Sequence, residues 1–67
     1  MEPEVALSIP MGVPMREARE QLIASFERAY LEDLLAQCEG NGSRAARSAG
    51  VDRKTITRLL KRHGIRD

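Results

Sequence analysis

The sequence of 67 residues predicts an all-α domain in which a long helix is followed by a helix-turn-helix. Three observations predict this architecture. Apolar residues recur at helical spacing between Pro14 and Gly40, small residues precede Gly50, and apolar residues recur at helical spacing after it. A chain of this length buries only about 60% of its unfolded surface and forms one small domain. We expect a linker or flexible arm over residues 1–14 and the domain over residues 15–67.

The long helix is expected over residues 15–39, because Pro14 suits a helix start and Gly40 lies just past the end. Its apolar residues do not form one continuous stripe. Those of the first half share one face, and those of the second half occupy a face that is rotated around the helix axis. The second face consists of Tyr30, Leu31, Leu34, Leu35 and Cys38.

One short helix-turn-helix cannot cover both faces of this helix. We therefore expect one face to pack on residues 45–60 and the other to pack on a second copy of the chain. The alternative is a helix break near residues 24–28, which would give two shorter helices in a monomer. The predicted dimer interface consists of Met15, Ala18, Leu22, Ile23, Phe26 and Tyr30.

The helix-turn-helix is expected over residues 41–64. Either Asn41 or Ser43 can cap its first helix by accepting from free backbone N–H groups. Gly50 can adopt the left-handed conformation of a sharp turn, and Val51 is the expected apolar plug of that turn. The small residues that would let the two helices cross closely are Ala45, Ala46 and Ala49.

The second helix of this motif is expected over residues 53–63. Asp52 can cap it through the N–H of Lys54 or Thr55, and Gly64 lies where it should end. Its buried face is expected to consist of Ile56, Leu59 and Leu60.

Charge divides the chain into two halves. Residues 44–67 hold eight basic and two acidic residues, a net charge of +6, whereas residues 1–43 hold three basic and eight acidic residues, a net charge of −5. A basic half of this kind is typical of a nucleic-acid-binding face. It lacks the bulky aromatic residues of a membrane-surface helix, and no apolar run approaches the length of a membrane span. We expect a cytoplasmic, nucleoid-associated protein without a membrane partner.

Catalytic or metal chemistry is not expected. One cysteine, Cys38, and one histidine, His63, cannot build a zinc site, and no carboxylate pair is set beside a base. The chain has no Gly-x-x-x-x-Gly-Lys-Ser/Thr phosphate loop. We predict a non-enzymatic protein with no catalytic residues, no cofactor, no metal ligands and no small-molecule substrate.

Residues 41–66 resemble the C-terminal helix-turn-helix of the Fis-type family, and the similarity extends back through residues 26–35. The same module ends many NtrC-like bacterial activators, including response regulators, that work with sigma-54 RNA polymerase. The resemblance implies a Fis-like three-helix domain that dimerises, binds double-stranded DNA and follows an ATPase domain in the full-length protein. It is carried by Gly40-Asn41, Arg44-Ala45-Ala46, Ala49-Gly50-Val51, Arg53-Lys54-Thr55-Ile56, Arg58-Leu59-Leu60-Lys61-Arg62 and Gly64-Ile65.

Docking of the second helix in the major groove would turn its first residues towards the base edges. By position in the family, Arg53 and Arg58 resemble base readers. Two residues depart from the nucleoid-protein branch: Asp52 replaces an asparagine, and Thr57 replaces a basic residue. Asp52 can accept from cytosine N4 or act only as a cap, but it cannot donate to a purine acceptor. The predicted base-reading residues are Asp52, Arg53, Lys54, Thr57 and Arg58.

Contacts to the DNA backbone fix the position of the protein and make binding sensitive to salt. Arg66 is expected to be an ordinary solvated residue. The predicted phosphate-binding residues are Ser43, Arg44, Arg47, Thr55, Lys61 and Arg62.

Three functions remain open on the sequence. The first is sequence-specific binding by a homodimer to an inverted-repeat enhancer site in sigma-54-dependent activation, which the linker-like start of the chain favours. The second is a free-standing Fis-like nucleoid protein that bends DNA. The third is a dimeric protein-interaction module whose basic helix binds acidic partners.

Overall fold

The computed structural model describes residues 9–66, which form three α-helices. Helix α1 spans Met15–Gln37, α2 spans Gly42–Ala49 and α3 spans Arg53–Arg62. The predicted all-α architecture is therefore confirmed. Residues 9–14 are non-helical, and the rest of the predicted linker or arm lies outside the described residues. None of the described helices is long and apolar enough to cross a membrane.

Helix α1 is continuous, so the alternative of a break near residues 24–28 is wrong. It ends at Gln37, two residues earlier than predicted, because the chain turns left-handed at Glu39 (φ 55°) and Gly40 (φ 78°). The Gly40 N–H donates to the carbonyl oxygen of Leu35 over 2.9 Å, which closes the helix end. The next segment is thereby directed back across the second half of α1.

The core is built where the three helices meet. Helix α1 contributes residues of its second half only, but Tyr30, which the sequence places on the second face, is exposed and stays outside the core. Small side chains on α2 allow it to pack closely against both α1 and α3, because an alanine adds little volume at a helix crossing. The buried residues are Leu31, Leu34, Cys38, Ala45, Ala46, Ile56 and Leu60, with Leu35, Ala49, Leu59 and Ile65 packed against them.

The turn between α2 and α3 begins at Gly50, which adopts the expected left-handed conformation (φ 76°). Val51 donates its backbone N–H to the carbonyl oxygen of Ala46 over 3.0 Å. Its side chain is 40% exposed, so the prediction of an apolar plug is wrong. Near the turn, the buried cluster is formed by Ala46 and Ile56. Val51 therefore contributes a backbone hydrogen bond and not a buried side chain.

Helix α3 ends at Arg62, one residue before the predicted end. Gly64 then adopts a left-handed conformation (φ 66°), and the Ile65 N–H donates to the carbonyl oxygen of Leu60 over 2.9 Å. Ile65 packs against the core. This combination of a left-handed glycine and an apolar residue behind it is the usual way in which a helix C-terminus is closed.

Candidate nucleic-acid interface

Helix α3 has one buried and one exposed face. Its buried stripe contains Ile56 and Leu60, and the residues on the opposite side are exposed. The residues on this exposed side recur at intervals of three and four, which places them on one face of the helix. We call it the basic face; it consists of Lys54, Thr57, Arg58, Lys61 and Arg62.

Asp52 caps α3, as predicted, by accepting from the Thr55 N–H over 2.7 Å. Hydrogen bonding from Thr55, first from its side chain and then from its backbone N–H, lowers the pKa of the Asp52 carboxyl, and the positive charge of Arg58 adds to this effect. The carboxylate is therefore ionised at neutral pH and can only accept hydrogen bonds. Thr55 is half-buried beside this cap, so its side chain faces Asp52 as well as the solvent.

Arg53 does not point along the basic face. Its Nη1 donates to Ser43 Oγ over 2.7 Å, and its guanidinium lies over Gly42. The direction of the Arg53 side chain is indicated by its spacing from the buried residues of α3, although not by the pattern of charges. Arg53 precedes the buried Ile56 by three residues and the exposed Thr57 by four, so it flanks the buried stripe instead of standing opposite to it.

Helix α2 presents its polar residues beside α3. Asn41 is its cap, because its side chain accepts from the Arg44 N–H over 3.0 Å. Ser43, the alternative cap, instead accepts from Arg53. Ser43, Arg44 and Arg47 are exposed, so the side chains of the predicted phosphate-binding residues on this helix are accessible.

Arg66 is exposed, but it is not simply solvated as predicted: its Nη2 donates to the carbonyl oxygen of Gly40. Both Arg66 and Arg53 line a cavity of about 150 Å³ beside α3. Sequence reasoning missed this arrangement because the two arginines are thirteen residues apart in the chain. The remaining residues that line the cavity are Gly42, Ile56, Thr57 and Leu60.

The end of α3 is attached to the middle of α1 by three residues. His63 Nε2 donates to Glu27 Oε1, and Arg28 donates to the His63 carbonyl oxygen. We call Glu27, Arg28 and His63 the α1–α3 clasp. The periodicity of the sequence does not predict the α1–α3 clasp, because each of its residues lies among other charged residues of its helix.

The first half of α1 leaves apolar side chains uncovered. Phe26 is 51% exposed, and its ring centroid lies 5.7 Å from that of Tyr30. Ala18 and Leu22 are half-buried. We call the uncovered row the apolar face of α1; it consists of Met15, Ile23, Phe26 and Tyr30, which are all exposed.

Residues 9–66 contain no group of three or more His, Cys, Asp or Glu side chains that could hold a metal ion. Cys38 is a free, buried thiol of the core.

Helix α2 is closed by a left-handed glycine, α3 is capped by Asp52, and α3 carries the exposed basic face. Together these features define a helix-turn-helix DNA-binding domain. A family model described as "Bacterial regulatory protein, Fis family" matches residues 22–63. The chain belongs to this family, which confirms the resemblance seen in its sequence.

Similar proteins fall into two groups by length. The nitrogen assimilation regulatory protein NtrX of Azorhizobium caulinodans is 44% identical over 55 residues, which is 82% of this chain and 11% of that protein. The nitric oxide reductase transcription regulator NorR1 of Cupriavidus necator is 37% identical over 57 residues, which is 85% of this chain and 10% of that protein. The DNA-binding protein Fis of Vibrio cholerae is 32% identical over 54 residues, which is 81% of this chain and 55% of that protein.

This chain thus spans about a tenth of the length of the two regulators and about half of Fis. No solved structure matches it significantly.

Proposed function

We propose that this domain binds double-stranded DNA in a sequence-specific manner as a homodimer at an inverted-repeat enhancer site. We further propose that it serves a transcription activator that works with sigma-54 RNA polymerase. The observation that carries the proposal is the basic face of α3, which stands opposite the buried stripe of the same helix. The core can therefore hold one side of α3 while the other side enters a major groove.

Base reading is assigned to the N-terminal and central part of the basic face. Arg58 can form a bidentate pair with guanine O6 and N7, which contributes about 1–3 kcal/mol of discrimination. Lys54 and Thr57 lie within about one turn of Arg58 on the same side, and Arg53 at the start of α3 is proposed as a further base reader. Asp52, an ionised acceptor, can take a hydrogen bond from cytosine N4 with the lone pairs that the cap leaves free.

Backbone contacts are assigned to residues that surround the reading face. Their exposed positive charges lie on both helices of the motif, so they can meet phosphates on either side of the groove. Each neutralised phosphate steepens the salt dependence of the affinity by about 0.9 in a log–log plot. The proposed contacts are the cations Arg44, Arg47, Lys61 and Arg62, with the hydroxyl groups of Ser43 and Thr55.

The proposed dimer uses the apolar face of α1. Exposed Phe26, Tyr30 and Ile23 share one side of a helix whose other half is already buried in the core. A second copy of α1 covers such a face by the simplest symmetric arrangement, because a two-fold axis pairs the same patch on both chains. The two copies of α3 related by that axis then read two half-sites in opposite orientation, and such a pair of half-sites is an inverted repeat.

The assignment to an activator is supported by the longer relatives. NtrX and NorR1 are named as regulators, and this chain matches about a tenth of each. In such a protein this domain binds the enhancer site, and an ATPase domain elsewhere in the chain remodels the polymerase. The partners of the full-length protein would then be DNA and sigma-54 polymerase.

Selection from random duplex DNA at physiological salt tests the proposal. An inverted repeat should be enriched, and the enrichment should disappear with Arg58→Ala. Arg16→Ala is the matched control, because it removes one exposed arginine from the far end of α1. If the wild-type domain binds no duplex DNA, the proposed function is wrong.

A second candidate is supported by the similarity to the DNA-binding protein Fis, over 55% of that protein's length. A free-standing protein of this kind would bend DNA and bind many sequences. This second function predicts salt-sensitive binding without an enriched repeat in the same selection, so one experiment distinguishes the two functions.

A further inference from the structure

Two opposite charges lie at equal distances from Phe26 on the side of α1 that carries the apolar face. Arg19 precedes Phe26 by seven residues, and Asp33 follows it by seven. Seven residues make almost two full helical turns, so each step rotates the position by only about 20°. All three side chains are exposed. Phe26 therefore has a cation about 10.5 Å away towards the start of α1 and an anion about 10.5 Å away towards its end.

Neither charge has an oppositely charged neighbour in its own helix. Side chains three and four residues apart are the ones that meet on a helix surface, as Arg28 Nε and Glu32 Oε1 do over 4.0 Å. Within residues 9–66, neither Arg19 nor Asp33 forms an ion pair. The neighbours of Arg19 at this spacing are Met15, Arg16, Leu22 and Ile23, and those of Asp33 are Ala29, Tyr30, Ala36 and Gln37.

The helix macrodipole does not stabilise these two charges either. Arg19 is the fifth residue of α1, and Asp33 is the fifth from its end. The macrodipole favours acidic residues near a helix N-terminus and basic residues near its C-terminus, which is the reverse of this arrangement. Gln37 Nε2 donates to Asp33 Oδ2 over 2.7 Å, but a carboxylate accepts several hydrogen bonds, so Asp33 can still bind a cation. The placement of both charges thus suits a contact outside the protomer.

The direction of a second α1 helix decides which charges meet. In a parallel pair each residue meets its own copy, so Arg19 would face Arg19 and Asp33 would face Asp33. In an antiparallel pair with the two-fold axis at Phe26, Arg19 of each copy faces Asp33 of the other, because both lie at the same distance from the axis. Like charges repel across an interface and opposite charges attract, so the pattern favours the antiparallel pair.

The same register also brings apolar residues together. With the axis at Phe26, Leu22 of one copy comes opposite Tyr30 of the other. Phe26, which is 51% exposed, meets its own copy, and the Tyr30 ring, 5.7 Å away from it, extends the aromatic contact. Moving the axis by one residue would change the residue opposite Arg19 by two positions and remove the charge pair.

The side of α1 that this pairing needs is exposed in the protomer. The core side of the helix carries Leu31, which follows Phe26 by five residues and is therefore rotated from it by about 140°. Asp33 and Ala36 stay exposed on the other side, next to the half-buried Ala29. Helices α2 and α3 can thus keep their places while a second α1 lies along the full length of the first.

We infer that two copies of α1 pair antiparallel around Phe26 and that Arg19 of each copy forms an ion pair with Asp33 of the other. The inference rests on the proposed function, in which the domain is a homodimer, and it adds the direction and register of the two helices. It also gives the interface a means of choosing its partner. A domain with other residues at these positions would leave both charges unpaired, so the pairs favour a second copy of this chain.

Exchange of the two charges tests this register. The dissociation constant of the dimer is measured by sedimentation equilibrium of the full 67-residue chain. Arg19→Asp opposes two aspartates twice in each dimer and should raise the constant by at least about tenfold, as should Asp33→Arg. The double variant Arg19→Asp/Asp33→Arg restores both pairs with their signs exchanged and should return the constant to within about threefold of the wild type.

Arg19→Ala distinguishes the two directions of pairing. It removes an attraction from an antiparallel dimer, which weakens it, whereas it would remove a repulsion from a parallel dimer and strengthen it. Glu17→Arg is the matched control for charge reversal, because Glu17 is exposed and lies nine residues before Phe26, on the opposite side of α1. This control should leave the dissociation constant unchanged, and circular dichroism should show that every variant stays helical.

Two results would overturn the inference: a double variant that dimerises no better than the single reversals, or an Arg19→Ala dimer that is tighter than the wild type. Both leave the proposed function in place, because the wild type would still form a dimer and bind an inverted repeat. A wild-type chain that stays monomeric alone and on the inverted repeat would instead contradict the proposed homodimer itself.

Discussion

Glu27 Oε1 lies 3.0 Å from His63 Nε2, which joins the middle of α1 to the residue that ends α3. The imidazole is only 9% exposed and the carboxylate 26%, so water competes little for this contact. Arg28 adds a second tie by donating to the His63 carbonyl oxygen. The clasp thus fixes the direction of α3 relative to α1, and in a dimer built on α1 it sets the separation of the two recognition helices.

We predict that Glu27→Ala lowers the free energy of unfolding by about 1 kcal/mol, the typical contribution of one intramolecular hydrogen bond. Urea unfolding followed by circular dichroism measures the change. Glu20→Ala is the matched control, because Glu20 is an exposed carboxylate of the same helix. Equal effects of the two substitutions would show that the clasp contributes nothing of its own.

We predict that Ile56→Ala lowers the free energy of unfolding by about 2–5 kcal/mol, because it leaves a cavity where a large aliphatic side chain was buried. Ile56 is 1% exposed at the meeting point of the three helices. Such a loss is severe for so small a domain, and thermal unfolding should show it. Val51→Ala should change stability by less than about 0.5 kcal/mol, since Val51 is a surface residue.

We predict that Phe26→Glu separates the dimer without unfolding the protomer. Phe26 is 51% exposed in the single chain, so the substitution removes little of the core. Sedimentation velocity should show a monomer, while circular dichroism stays helical. Affinity for an inverted repeat should fall much more than affinity for one half-site. A Phe26→Glu domain that sediments like the wild type would contradict the proposed interface.

We predict that Arg58→Ala lowers discrimination against substituted half-sites by about 1–3 kcal/mol while the fold is retained. Arg58 is exposed on the basic face, away from the buried stripe. Competition binding with single-base variants of the selected site measures the loss. A uniform loss of affinity for all variants would make Arg58 a backbone contact instead.

We predict that the cap of α3 weakens in acid. The pKa of Asp52 is lowered in the folded domain, so the unfolded chain binds more protons and stability falls as the pH falls. The contribution of the cap is fully present above the ordinary aspartate range near pH 4 and is lost as the pH drops through the lowered pKa. Unfolding measured from pH 6 to pH 2 should show this loss, and Asp52→Ala should remove that part of the pH dependence.

The local sequence signals predicted the helices to within two residues of their ends. Asn41 and Asp52 cap α2 and α3 as their chemistry predicts, and Gly50 turns left-handed where the chain must reverse. These features depend on hydrogen bonds and backbone conformations within about four residues, which a sequence displays directly. The helical spacing of Ile56 and Leu60 identified the buried stripe in the same way.

Contacts between distant residues could not be predicted in this way. The sequence places Val51 in the core, whereas the structure leaves it exposed, and the hydrogen bond from Arg53 to Ser43 is seen only in the structure. Side-chain direction depends on the space that neighbouring helices leave, and this space exists only after packing.

By itself, the sequence determined the all-α architecture, the cap of α3, the turn at Gly50, the stripe that α3 buries and the cations opposite to it, because period and capping are local properties. Only the tertiary structure decided that Arg53 and Arg66 share one cavity and that Glu27 and His63 join α1 to α3. Those pairs are separated by thirteen and thirty-six residues, so their meeting depends on how the helices pack and not on any local pattern.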